Sequence, residues 1–292
     1  MIWKSMIGAA AALALAGSAA SLAPAQTVAA PAAKPSVAKP FAPTRFSVEV
    51  VGSGPDVILI PGLTASREVW RGSVNAVPGY RYHLVQVAGF AGTPAKGNSS
   101  GPIIAPLAAE IARYIEAKGL VRPAFVGHSM GGTVAMMVAA RHPAAAGKVM
   151  VVDMLPQPAG LVGSSPTGVK GLADTLRGLS GSAEGRRLIE SAVRMFGNAE
   201  ARDSRSDPDV VARATHELAL LDLTPELPRI RAPLTVLYAS LEASRRASDD
   251  ARYRSAYAKA GAKLVRIDDS GHMIMYEQPA RFRAALKAFL AG

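Results

Sequence analysis

Gly127-His128-Ser129-Met130-Gly131 decides the fold, because Pro123-Ala124-Phe125-Val126 runs into it and Gly132-Thr133-Val134-Ala135-Met136-Met137-Val138-Ala139-Ala140 runs out of it. The apolar stretch ahead reads as a buried strand and the small-residue stretch behind as a helix, with a serine at the sharp turn between them. Glycines two before and two after that serine let strand and helix approach more closely than larger side chains permit. A bare G-x-S-x-G pattern arises by chance, and a serine in a turn is ordinarily a turn former or a helix cap. The strand before and the helix after single out Ser129 as a candidate nucleophile held away from the backbone.

Outward from the elbow, strand and helix patterns alternate. Phe46 to Val51, Asp56 to Ile60 and His83 to Val87 read as strands bounded by Gly and Pro signals. Leu107, Ile111, Tyr114 and Ile115 share a helical face that ends at Gly119. After the elbow helix come strands at Lys148 to Val152, Leu234 to Tyr238 and Lys263 to Ile267, and a closing helix with Phe282, Leu286, Phe289 and Leu290 on its inner side. Apolar, β-branched strands between amphipathic helices imply an α/β fold with a mostly parallel, doubly wound sheet covered on both faces. The stretch from about 155 to 228 breaks the alternation: it has helical segments and no strand pattern. Its position after a sheet strand suits an inserted helical cap over the carboxyl ends of the strands, where ligands bind in such sheets.

The ends of the chain bound the remaining possibilities. Lys4, an apolar run from Met6 to Ala16, and Ala23-Pro24-Ala25 before Gln26 have the form of a cleavable secretory signal peptide over 1–25. Export to the periplasm or the medium is the expectation. Residues 26–44, rich in Ala and Pro, read as a flexible tether. The domain is then expected over 45–292, long enough for one large α/β unit. The chain has no cysteine, which excludes disulfides, thiolate metal sites and a cysteine nucleophile. Its formal charge of +11 is spread along the sequence rather than gathered in a block, which favours a solvated basic surface over nucleic-acid binding.

A serine hydroxyl needs a base within hydrogen-bond reach and a third group to orient that base. Of the five histidines, His128 lies inside the elbow, His83 in a strand, His142 at a helix end and His216 in the cap stretch. His272 follows the last strand in Asp269-Ser270-Gly271-His272, at the same sheet edge as Ser129, and is the candidate base. For the acid two positions are open: Glu242, beyond the strand ending at Tyr238, and Asp153, at the end of the strand after the elbow helix. Both satisfy the order serine, acid, histidine, and Glu242 is preferred. Backbone N–H groups of Met130, after the nucleophile, and Leu63, in the turn Pro61-Gly62-Leu63-Thr64, are the candidate oxyanion donors. Trp70, Phe90, Met154 and Met273 are candidate pocket-lining residues or plain core.

Pro61-Gly62, Gly89-Phe90-Ala91-Gly92, the elbow and Ser270-Gly271-His272, in that order from Phe46 to the C-terminus, resemble the α/β-hydrolase family of esterases, lipases, thioesterases and carbon–carbon bond hydrolases. Two positions depart from the family pattern. Pro61 stands where a His often precedes the oxyanion glycine, and Ser240-Leu241-Glu242 where an Asp often follows the penultimate strand. The resemblance implies an ester hydrolase with a Ser129–His272–acid triad, a small-molecule ester substrate, and no metal or cofactor. A thioesterase or carbon–carbon bond hydrolase could use the same residues, and a ligand-binding protein with a degraded triad is the reading outside enzymes.

Overall fold

Seven strands take up the apolar runs: β1 Phe46–Gly52, β2 Asp56–Ile60, β3 Arg81–Val87, β4 Ala124–His128, β5 Lys148–Val152, β6 Leu234–Ser240 and β7 Lys263–Asp268. They form one sheet in the order β1-β3-β2-β4-β5-β6-β7. β1 pairs antiparallel with β3, and every other neighbouring pair is parallel. The computed structural model describes residues 41–162 and 205–292. The expected leader, most of the tether and residues 163–204 of the expected cap lie outside them.

The α-helices among the described residues are α1 Arg71–Ala76, α2 Ile104–Ala117, α3 Met130–Arg141, α4 Pro208–Leu220, α5 Arg246–Ala256, α6 Ile274–Glu277 and α7 Pro279–Ala291. Two cores follow from the pleat, because successive strand residues point to opposite faces. Ile58 and Ile60 of β2 join Phe125, Val149 and Val151 on the face covered by Leu107 and Ile111 of α2 and Val134 and Val138 of α3. Val57 and Leu59 of the same strand join Val126, Met150 and Val152 on the other face, against Trp70 and the α7 residues Phe282, Leu286 and Leu290. Phe90 and Met154 belong to the first core, Trp70 and Met273 to the second. All four are buried on separate faces, so the described packing makes them core and does not gather them around one pocket.

The domain begins a little earlier than composition suggests. Phe41 packs against the first core, and the Thr44 N–H and hydroxyl both donate to Glu110, a buried carboxylate on α2. The Thr44 carbonyl in turn accepts from Gly97. Residues 41–44 are therefore docked on the sheet domain, where the sequence reading assigns them to the tether.

Candidate active site

The elbow follows from close packing of backbone. A Cβ at Gly127 would lie 2.2 Å from the Gly131 carbonyl oxygen, and one at Gly131 would lie 2.1 Å from that of Ile60. Neither position tolerates a side chain, so α3 leaves β4 directly beneath the end of β2. Between the glycines Ser129 takes φ 53° and ψ −123° as the N-cap of α3, in the left-handed range that L-residues avoid. Its N–H donates to the Val152 carbonyl at 3.0 Å and its carbonyl accepts from Gly132 and Thr133. Both backbone groups are thus engaged, and the side chain stands half-buried at the carboxyl edge of the sheet.

The same edge gathers the backbone strain. Of seven non-glycine residues with positive φ among those described, Thr64, Ala91, Ser129, Asp153 and Asp269 each follow the carboxyl end of a strand. Such outliers persist where surrounding structure over-determines them, as at functional sites.

β4 and β5 set the candidate nucleophile and a candidate acid side by side. His128 and Val152 are register partners, so the next residue on each strand, Ser129 and Asp153, leaves the sheet at the same level. Asp153 turns off at φ 49°, and its N–H is held by the Leu237 carbonyl of β6 at 2.8 Å. His272 Nδ1 meets Asp153 Oδ2 at 2.7 Å. Asp153 Oδ1 accepts from the Ala239 N–H at 3.0 Å and from the Tyr253 hydroxyl at 2.9 Å. Burial alone would raise the Asp153 pKa; the bond and charge of His272, with the Ala239 N–H and Tyr253, outweigh it and hold the carboxyl below its ordinary value. Burial pushes the Tyr253 phenol well up, so it remains a donor. With an ionised acceptor on Nδ1, the His272 proton sits on that nitrogen and Nε2 carries the lone pair.

Glu242 is not part of this arrangement. It lies exposed just beyond β6, with Ser244 as its side-chain partner at 3.5 Å. The preference for Glu242 is therefore corrected: the structure brings Asp153, the other open position, onto His272. Ser240, at the end of β6, donates its hydroxyl to Asp249 of α5 at 2.9 Å.

The turn after β2 lies against the elbow. A Cβ on Gly62 would meet His128 Nδ1 at 3.0 Å and Ser129 Cβ at 3.2 Å, which puts the Gly62–Leu63 backbone beside the nucleophile. Met130 opens α3, where the first N–H groups have no intrahelical acceptor. The described part of the expected cap also reaches this edge. Asp207 caps α4, Ser206 accepts from Ala91 at 3.0 Å and contacts the Thr64 carbonyl at 3.5 Å, and Glu217 accepts from the N–H groups of Ile103 and Ile104 at the start of α2. Val210 fills the space over Gly89, where a Cβ would stand 2.8 Å from its methyl.

A family model described as the alpha/beta hydrolase family matches residues 57–285. The chain belongs to that family. Among its relatives, a pimeloyl-[acyl-carrier protein] methyl ester esterase of Aeromonas hydrophila is 27% identical over 267 residues, covering 84% of this chain and 98% of that protein. An N-formylmaleamate deformylase of Pseudomonas putida is 27% identical over 259 residues, covering 82% and 90%. The enol-lactonase of Burkholderia xenovorans has the same fold, with a TM-score of 0.70 at 22% identity over 85% of this chain and 97% of its own. Within this alpha/beta hydrolase, sequence reasoning missed Tyr253 behind the acid. A signal was present: Tyr253, on the otherwise polar Arg246–Ala256 helix, and Tyr257, at its C-cap, lie four apart, and an aromatic face on a polar helix points to something it must cover.

Proposed function

We propose that this protein is an exported serine hydrolase that cleaves small to medium carboxylic esters through an acyl-enzyme on Ser129. The reading rests above all on the 2.7 Å contact between His272 and the ionised Asp153, next to a serine held at positive φ. In acylation Ser129 Oγ attacks the ester carbonyl carbon while His272 Nε2 takes its proton. The tetrahedral oxyanion is met by the N–H groups of Met130 and Leu63, and collapse expels the alcohol, which takes the proton back from His272. A water then loses a proton to His272 and attacks the acyl carbon, and collapse releases the acid as Ser129 Oγ takes that proton back from His272. Asp153 stays ionised throughout and stabilises the imidazolium that forms in each half.

Ester chemistry is supported by relatives named as a methyl ester esterase and, at the level of fold, by an enol-lactonase. Hydrolysis of short-chain p-nitrophenyl esters by the purified protein tests the reading. Activity lost in both Ser129→Ala and His272→Ala is the expected result, and activity unchanged in either variant overturns it. For export the support is the leader-like N-terminus of the sequence. Protein recovered from a periplasmic fraction or the medium should begin at Gln26, and a cytoplasmic chain retaining Met1 would contradict that part.

A further inference from the structure

The loop that carries His272 is held by more than Asp153. Glu277 accepts from the N–H groups on either side of the base, Gly271 and Met273, the second at 3.0 Å. His128 Nε2 contacts the carbonyl oxygen of His272 itself at 2.9 Å. The two imidazoles also lie against each other, with ring centroids 4.6 Å apart at 46°.

His128 is buried, and a carbonyl can only accept, so the hydrogen in this contact belongs to His128 Nε2. That leaves Nδ1 as a bare lone pair, without a hydrogen-bond partner. The Nδ1 side is closed by the oxyanion turn, for a Cβ at Gly62 would come within 3.0 Å of it. One ring therefore meets the His272 carbonyl on one edge and faces Gly62 on the other, so closely that a side chain there would crowd it, while its own backbone precedes Ser129. Burial, then the neighbouring His272, push His128 down to about 3, so it stays neutral wherever the site works. The charged groups around the pair are Asp153 behind His272 and Glu277 behind the loop; neither contacts the His128 ring nitrogens.

We propose that His128 is a positioning residue, whose Nε2–H fixes the His272 backbone and whose opposite edge seats the Gly62–Leu63 turn, so that base and oxyanion donors keep a common register on Ser129. This rests on the serine-hydrolase reading of the site. Misplacement of a reacting group by about 1 Å can cost on the order of a hundredfold in rate, and a loop residue such as His272 depends on contacts of this kind for its precision.

Glutamine places an amide N–H near the position of Nε2, whereas leucine offers none and asparagine stops short. The expected outcome in the full chain is that His128→Leu and His128→Asn lower kcat for p-nitrophenyl acetate by roughly 10- to 100-fold with KM little changed. His128→Gln should recover most of that loss. In parallel, the far-downfield proton NMR resonance of the His272 Nδ1–H bonded to Asp153 should be sharp in wild type and His128→Gln, and broadened or lost in the other two. If His128→Leu does not fold, His128→Asn carries the comparison. Wild-type kcat and a sharp resonance in a folded Leu or Asn variant would overturn the proposal, as would a Gln variant no better than they are. The resonance needs no turnover, so it reports on His128 even if Ser129→Ala leaves hydrolysis unchanged and the hydrolase reading itself fails.

Discussion

The carboxyl ends of β5 and β6 lie side by side, each followed within two residues by a carboxylate, yet only one of these reaches His272. Val152 pairs with Leu237, so Asp153 stands level with Tyr238. β6 then continues to Ser240 alongside Asp268 of β7, and Glu242 comes beyond the sheet edge. β5 stops short, turns at positive φ and drives Asp153 inward, where an N–H of β6 and the Tyr253 hydroxyl of α5 receive it. β6 overshoots to the buried Ser240, whose hydroxyl is turned to Asp249, and the chain beyond it is in solvent. The difference shows that strand length, and donors that make an ionised carboxylate tolerable, decide which of the two carboxylates meets His272, rather than nearness to it in sequence.

The β5 side can be broken at its foundation. Gly131→Ala puts a methyl 2.1 Å from the Ile60 carbonyl, a backbone clash that no rotamer relieves. The expected result is a chain without cooperative melting or ester hydrolysis, read by circular dichroism and p-nitrophenyl ester assay. Next in size is a pH effect on the ring beside Ser129. His128 is depressed from an ordinary 6.5 to about 3, so its neutral burial adds stability above pH 6.5 that is lost progressively as pH falls toward 3. Urea unfolding should show a loss of about 2 kcal/mol from this residue between pH 7 and pH 5, absent in His128→Gln. Tyr253→Phe sharpens the contrast more gently. It removes one of three donors to Asp153, and kcat should fall about tenfold with KM unchanged. On the β6 side, Ser240→Ala takes one partner from buried Asp249 and leaves Arg252. A stability loss of about 1 kcal/mol with unaltered kcat is expected; a fall in kcat there would mean that the two strand ends are not separate.

Much of this molecule is legible in its sequence because the deciding signals are local. The apolar runs of β2, β4 and β5 and the glycines of the elbow state strand, turn and helix within a few residues of one another. The choice between Asp153 and Glu242 is not local. It depends on the register of β5 against β6 and on a tyrosine 100 residues downstream of Asp153, and neither is written around the carboxylates. The contact of His128 is non-local in the same way: its ring meets the carbonyl of a residue 144 positions distant, which the elbow motif does not reveal. The early docking of Thr44 likewise requires Glu110 of α2, which composition alone does not reveal.

The most direct test of the account is the kcat for a short-chain p-nitrophenyl ester in Asp153→Asn set beside Glu242→Gln. A neutral amide at 153 leaves the shape intact but removes the charge that orients and supports His272. Asp153→Asn should therefore lose roughly 10⁴-fold, the loss expected when the acid that orients the histidine of a Ser-His-Asp triad becomes a neutral amide, while Glu242→Gln keeps wild-type activity. Full activity in a folded Asp153→Asn, or a comparable loss in Glu242→Gln, would contradict the assignment of the acid to the end of β5.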